Sequence, residues 1–186
     1  MFEKIKPAAA LFIITVFFAL ALGAVYNITY EPIEAQKAKN EAETVNRLVP
    51  GTEETRSEDV EVPESSVCKV ISCYAKGEII GYAIVAAPKG YGGSIEIMAG
   101  FDVNGVILGV NVLSHSETPG LGAKAVLSVF LDQYKGVGGQ RFVVTKLKRN
   151  APNEIEAITS ATITTEAVTK GVNDALSYFE VHYGNH

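Results

Sequence analysis

The chain has 186 residues, of which 47% are apolar and 20% are charged, and its formal net charge is −5. This length and composition favour one globular domain and exclude a multi-span transporter and a fully disordered protein. The net negative charge argues against a nucleic-acid partner, because nucleic acids select a basic protein surface.

The apolar residues are unevenly distributed along the chain. Of the 21 residues in segment 8–28, 18 are apolar and none is charged. As a helix this segment would rise about 30 Å, which is the thickness of the hydrocarbon core of a bilayer. We therefore predict an N-terminal transmembrane anchor over residues 1–30, followed by a water-soluble part.

The charges on either side of the anchor predict its orientation. Lys4 and Lys6 precede the apolar segment, whereas Glu31 and Glu34 follow it. The positive-inside bias then puts the N-terminus in the cytoplasm and the C-terminal domain on the periplasmic side of a cell (inner) membrane. A cleaved signal peptide is the alternative, but its apolar region is usually only about 7–15 residues long. We therefore favour an uncleaved, single-pass anchor.

Residues 31–65 are predicted to connect the anchor to the domain. A polar helical stalk is expected from Pro32 to about Leu48. Residues 50–64 hold six acidic residues against the single cation Arg56 and are flanked by prolines, which is typical of an acidic loop.

From residue 66 onward the sequence has the pattern of β-strands. Apolar alternation predicts strands over residues 66–75, 78–87, 94–103 and 105–114, with a fifth over residues 141–148. Lys76-Gly77 and Asn104-Gly105 predict hairpin turns, and at Asn104-Gly105 we expect a positive φ at both turn positions.

Two apolar stripes at helical spacing predict helices that pack on this sheet. The first comprises Ala123, Val126, Leu127, Phe130, Leu131 and Tyr134, and the second comprises Val168, Val172, Ala175, Leu176 and Phe179. The predicted fold class is therefore α+β: a single N-terminal transmembrane helix, then an extracytoplasmic antiparallel-sheet domain with packed helices over residues 66–186.

The sequence predicts neither a disulfide nor a metal site. Cys68 and Cys73 lie on one predicted strand, about 16 Å apart and on opposite faces, which is too far for a disulfide. His182 and His186 have i, i+4 spacing, but Gly184 is expected to end the helix between them.

A cluster of hydroxyl residues precedes the last predicted helix. Thr159, Ser160, Thr162, Thr164 and Thr165 lie within seven residues. Helix capping explains one or two such hydroxyls. A helix N-terminus also attracts phosphate groups, so an anion site is the alternative to simple capping.

Two further segments could contribute to a binding site. In segment 114–122, residues 118–121 (Thr-Pro-Gly-Leu) predict a type II turn where a strand leads into a helix. His115 and Glu117 in that segment could act as acid and base, although a plain connection is as plausible. Residues 89–94 form a glycine-rich stretch that does not precede a helix, so an inter-strand loop is the simpler interpretation.

Taken in this order, the segments resemble a known family, the covalent-FMN subunits of ion-pumping membrane oxidoreductases. These are the G subunit of the Rnf complex and the related C subunit of sodium-pumping NADH:quinone oxidoreductase. The resemblance extends from the anchor to the final helix. It is densest in GYGGSIEIMAGFDVNGVILGVNVLSHSETPGLG and in ITSATITTEAV.

The resemblance implies a covalent flavin on a threonine. The family attaches FMN through a phosphodiester to the last residue of an S/T-G-A-T motif, and a separate flavin transferase installs it. The matching residues here are Thr159, Ser160, Ala161 and Thr162, so Thr162 is the implied attachment site and Thr164 the nearest competing hydroxyl. Ser160 stands where the family usually has Gly, and Glu156 stands where Asp is frequent.

The resemblance also implies the surroundings of the ring. Glu117, Thr118 and Leu121 are the expected ring contacts, with His115 beside them and the loop at residues 91–93 next. No residue of the chain is expected to be catalytic, because the isoalloxazine carries the redox chemistry.

The sequence therefore predicts a membrane-anchored flavoprotein subunit that relays electrons within an ion-translocating oxidoreductase complex. Its expected partners are other subunits of that complex and the flavin transferase. Two alternatives are an anchored, non-redox binding or adaptor module and a stand-alone flavin reductase.

Overall fold

The computed structural model describes the backbone of residues 2–184 and the side chains of residues 11–184. It begins with one long helix, α1 (Phe2–Leu48), whose described part from Leu11 is long and apolar enough to cross a membrane. The predicted single apolar helix is confirmed, and the stalk continues it through Pro32 without a break. The chain divides into two compact units, one ending at Glu41 and one beginning at Ala42.

The second unit is built on a five-stranded antiparallel sheet. Its strands are β1 (Glu54–Asp59), β2 (Val67–Ala75), β3 (Glu78–Ala86), β4 (Glu96–Asp102) and β5 (Ile107–Ser114). Each strand pairs with its neighbour in the sequence, so the sheet is a meander in the order β1-β2-β3-β4-β5. Short connections of this kind favour antiparallel pairing.

Helical segments follow the sheet. A 3-10 turn (Gly122–Val126) leads into the short helix α2 (Ser128–Leu131) and a second 3-10 turn (Asp132–Tyr134). Two short strands, β6 (Val143–Thr145) and β7 (Glu154–Glu156), pair in parallel, and the long helix α3 (Thr162–His182) completes the fold. The predicted α+β class with an antiparallel sheet and packed helices is confirmed.

Both faces of the sheet are covered by apolar side chains. On one face α3 packs through residues such as Val168, Val172 and Phe179, together with Phe130 and Tyr134 from the preceding segment. On the other face the end of α1 contributes Val45 and Leu48, and the next residue is Val49; the three pack on Ile71, Cys73, Ala83, Val85 and Met98. The alternation of residues along β2 to β5 supplies both apolar surfaces.

The hairpin turns differ from each other in geometry. Lys76 and Gly77 have φ of 52° and 81°, as the favoured two-residue turn requires. The expectation of a positive φ at both Asn104 and Gly105 was wrong, since only Gly105 has one, at 81°. The Asp102 carboxylate instead accepts hydrogen bonds from the backbone N–H groups of Asn104 and Val106, which stabilises a longer turn.

The acidic connector is not a loop throughout, so that prediction was wrong. Residues 54–59 form β1 and pair with β2 from Glu54 opposite Tyr74 to Asp59 opposite Lys69. All six residues of β1 are exposed, so the strand has no apolar alternation that the sequence could reveal. Its charges suit an edge strand, where they discourage pairing with another chain. The division of the chain at residue 66 stays a prediction.

In residues 123–148 the predicted burial is confirmed for only part of the apolar stripe, and the predicted extents of the helix and the strand were wrong. The first apolar stripe is not one helix, because Leu127 is extended with ψ of 138° and separates two short helical segments. Phe130, Leu131 and Tyr134 are buried as expected, whereas Val126 and Leu127 are exposed. The predicted fifth strand is shorter than expected: it comprises only Val143–Thr145, and it pairs with β7 rather than with the main sheet.

Cys68 and Cys73 are not joined by a disulfide, and the expectation that they face opposite sides of the sheet was wrong. A register shift between Val67 and Lys69 makes Cys68 a bulged residue. Cys68 and Cys73 therefore both contact the apolar cluster under the end of α1. A single bulge residue reverses the alternation that simple counting assumes. His182 ends α3 and stacks on Tyr178, while His186 lies outside the described residues.

Candidate functional site

The hydroxyl cluster lies at the start of α3. The helix begins at Thr162 after the buried Ala161, and no side chain of residues 11–184 caps its first backbone N–H groups. The capping interpretation is therefore wrong for this helix. The Thr165 hydroxyl donates to the Ala161 carbonyl at 3.0 Å and accepts from the Ile158 N–H at 3.1 Å. It therefore already has a donor and an acceptor partner within the chain.

The other hydroxyls of the cluster differ in availability. Thr164 is 1% exposed and donates to Glu117. The hydroxyls of Thr159, Ser160 and Thr162 have no hydrogen-bond partner within residues 11–184, and Thr162 is half-buried at the first helical position. Thr162 thus offers a free hydroxyl beside uncapped backbone N–H groups, which together can hold an anionic group.

Segment 114–122 reverses direction through the predicted turn. Gly120 has φ of 77°, and the Leu121 N–H donates to the Thr118 carbonyl at 3.2 Å, as a type II turn requires. His115 accepts a hydrogen bond at Nδ1 from the Glu117 N–H at 3.2 Å, and Ser114 donates to Glu96. His115 thus contacts the backbone of its own segment, and Ser114 contacts the neighbouring strand β4.

Glu117 joins this segment to two others. Its side chain is 6% exposed, Oε1 accepts from the Gly92 N–H at 2.8 Å, and Oε2 accepts from the Thr164 hydroxyl at 2.5 Å. The glycine-rich stretch is an inter-strand loop between β3 and β4, as expected, with a bridge between Lys89 and Ser94. All three segments singled out in the sequence therefore meet at one carboxylate.

The three segments enclose an open cleft of about 620 Å³. It is lined by Tyr91, Glu117, Thr118, Leu121, Gly122, Ser160, Ala161, Thr162, Ile163 and Thr164. The volume lies in the range of roughly 300–1,000 Å³ that small-molecule and cofactor sites occupy. Exposed apolar surface at Tyr91, Leu121 and Ile163 borders it.

Most of the predicted site residues line the cleft, and two do not. Thr159 and His115 lie outside its lining. Ile163 lines the cleft but was not predicted from the sequence. A single apolar residue among hydroxyl residues does not indicate a binding role unless the start of the helix at Thr162 is known. The described residues also contain no group of three or more His, Cys, Asp or Glu side chains that could hold a metal ion.

The chain is similar in sequence to several known proteins. A family model described as an FMN-binding domain matches residues 90–177. The G subunit of the Na⁺-translocating ferredoxin:NAD⁺ oxidoreductase complex of Acetobacterium woodii is 32% identical, over 94% of this chain and 91% of the relative. The G subunit of the ion-translocating oxidoreductase complex of Vibrio cholerae is 30% identical, over 91% of this chain and 88% of the relative.

Two solved structures share the fold. The C subunit of the Na⁺-translocating NADH-quinone reductase of Parabacteroides distasonis has a TM-score of 0.57 and 22% identity, over 78% of this chain and 84% of that chain. NqrC of Shewanella oneidensis has a TM-score of 0.50 and 21% identity, over 67% of this chain and 63% of that chain.

Proposed function

Because the chain belongs to the family of G subunits of ion-translocating oxidoreductase complexes, we propose that it is a membrane-anchored FMN subunit that relays electrons within such a complex. Its partners are then the other subunits, and the isolated chain has no turnover of its own. The observation that carries this proposal is the cleft in which all three segments meet beside the free hydroxyl of Thr162.

The residues of the cleft fit an FMN group. The exposed faces of Tyr91, Leu121 and Ile163 suit a flat aromatic ring, since apolar walls exclude water from it. The uncapped start of α3 suits a phosphate, because its free N–H groups and dipole favour negative charge. When bound, the isoalloxazine supplies the electron-transfer chemistry. The chain orients the ring and holds the phosphate.

We further propose that the FMN is attached to Thr162 by a phosphodiester that a flavin transferase makes. Thr162 is half-buried in the cleft and its hydroxyl is unpaired within the described residues, whereas Thr164 is buried and bonded to Glu117. These differences support Thr162 over Thr164 as the acceptor. A covalent link keeps the flavin at high effective concentration where a free one would diffuse away.

The attachment is tested by co-expressing the chain with a flavin transferase and examining the denatured band for flavin fluorescence. We expect the parent chain to fluoresce and Thr162→Ala to be dark. Ser177→Ala is the matched control, since Ser177 is an exposed hydroxyl of α3 outside both the cleft and the attachment motif, and it should stay bright. A dark parent band would refute the covalent link, and a bright Thr162→Ala band would refute the site.

The orientation of the domain is the remaining part of the proposal. Lys4 and Lys6 before the apolar helix, and Glu31 and Glu34 after it, support a periplasmic domain. Alkaline phosphatase fused to the C-terminus, which is active only outside the cytoplasm, should therefore be active. The double variant Lys4→Glu/Lys6→Glu should lose part of that activity, and an inactive parent fusion would contradict the orientation.

A further inference from the structure

Glu117 is the one acidic side chain that is buried among the described residues. A carboxylate out of water is costly unless its oxygens are hydrogen-bonded. Here Oε1 accepts from the Gly92 N–H and Oε2 accepts from the Thr164 hydroxyl. The two partners belong to segments 25 and 47 residues away in sequence, so the bonds join parts of the chain that are otherwise separate.

The surrounding glycines leave room for this carboxylate. A Cβ at Gly90 would lie 2.5 Å from Oε1 of Glu117. A Cβ at Gly122 would lie 2.5 Å from Oε2 of Glu117 and 2.6 Å from Oγ1 of Thr164. Neither glycine has a positive φ, so their conformation does not require glycine. What they provide is space for the Glu117–Thr164 pair.

We propose that Glu117 is a positioning residue that fixes the walls of the cleft through its bonds to Thr164 and Gly92, and thereby fixes the flavin ring. Only the second part of this inference, the positioning of the flavin ring, rests on the proposed function. Tyr91, on one wall, directly precedes Gly92, and Thr162, on another, lies two residues before Thr164 in α3. Loss of either bond therefore frees one wall relative to another.

A purely structural bond elsewhere on α3 provides the matched control. Tyr134 and Thr169 form a buried side-chain hydrogen bond of 2.8 Å, and neither residue lines the cleft. Tyr134→Phe removes that bond with little change of shape. Thr164→Val likewise removes one buried hydroxyl of α3 with little change of shape, while Thr164→Ser keeps the donor to Glu117.

The first experiment uses the full chain without flavin and measures amide hydrogen exchange. In Thr164→Val, we expect exchange at the Gly92 amide and in residues 116–122 to accelerate about tenfold, the effect of losing one hydrogen bond to a charged group. Thr164→Ser should restore the parental rates, and Tyr134→Phe should leave these segments unchanged. Sheet amides such as Ile84 and Ala99 report whether each variant is folded.

If Thr164→Val exchanges fast throughout the sheet as well, Glu117→Gln is measured in its place, and the same local pattern is expected. The positioning role would be overturned if the amides of the cleft segments exchange no faster in Thr164→Val and in Glu117→Gln than they do in Tyr134→Phe. This experiment needs no flavin, so it stands even if the proposed function fails.

The second experiment uses the chain with flavin attached. Thr164→Val and Glu117→Gln should lower the fluorescence anisotropy of the flavin and shift its midpoint potential, while Thr164→Ser and Tyr134→Phe match the parent. A flavin whose anisotropy and potential are unchanged in Thr164→Val would overturn its positioning by Glu117. A parent chain that takes up no flavin would instead overturn the proposed function.

Discussion

At the scale of single residues, Ser160 shows what the sequence could and could not reveal. The sequence shows that serine stands where the resembling family usually has glycine, but it does not give the reason. The structure gives Ser160 a φ of 64°, in the left-handed region that glycine adopts without strain. The residue reverses the chain between the short strand β7 and α3, so its conformation follows from the tertiary path rather than from local propensity.

The strain at Ser160 predicts a stabilising substitution. A left-handed conformation costs an ordinary residue about 1–2 kcal/mol, so Ser160→Gly should raise the free energy of unfolding by about 1 kcal/mol. Ser177→Gly is the matched control, because Ser177 is exposed within α3 and glycine there should lower the free energy of unfolding by about 0.5 kcal/mol. Urea unfolding of the three chains measures both changes. Equal stability of Ser160→Gly and the parent would contradict the strain.

At the scale of elements, the sequence predicted those that bury an alternating or periodic apolar face. Strands β2 to β5 and helix α3 are of this kind. Strand β1 has no buried residue and is held by backbone bonds to β2, so nothing in its composition distinguishes it from a loop. The helix predicted over residues 123–134 was broken because Leu127 is extended. In both segments, contacts with the rest of the fold rather than local propensity determine the backbone conformation.

Asp174 predicts how pH affects the attachment of α3 to the sheet. Its Oδ2 accepts from Lys170 at 2.5 Å and from both the N–H and the hydroxyl of Ser66, which precedes β2. Burial raises the pKa of Asp174, but the bonds from Lys170 and Ser66 outweigh burial and leave this pKa below its ordinary value. A lowered carboxyl pKa stabilises the fold above about pH 4, and this contribution is lost as the pH falls through the native pKa.

Asp174→Asn should therefore lower the free energy of unfolding at pH 7 by about 1–3 kcal/mol, as loss of hydrogen bonds to a charged group does. The difference from the parent should narrow as the pH falls below about 4. Glu180→Gln, which removes an exposed charge from the same helix, should have little effect at either pH. A difference between Asp174→Asn and the parent that is the same at every pH would refute the role of the carboxylate charge.

At the scale of the whole molecule, composition alone separated an apolar anchor from a water-soluble domain, because 18 apolar residues in 21 with no charge are typical of a membrane span. It could not place the boundary of the folded unit. That boundary depends on which side chains cover the second face of the sheet. Val45 and Leu48, which cover it together with the following Val49, belong to the end of the helix that also forms the anchor. The compact unit begins at Ala42, and the division of the chain at residue 66 stays a prediction.

Two truncated chains test this boundary. A chain that begins at Ala42 keeps the end of α1 and strand β1, so it should be soluble and unfold cooperatively. A chain that begins at Gly51 keeps strand β1 but lacks Val45, Leu48 and Val49, and it should be less stable by on the order of 5 kcal/mol, since each buried side chain of this size contributes about 1.5–3 kcal/mol. Urea unfolding and binding of an apolar fluorescent dye measure the difference. The cleft residues are present in both chains, so equal stability would show that the end of α1 serves only to tether the domain, whereas the expected loss makes it part of the domain's core.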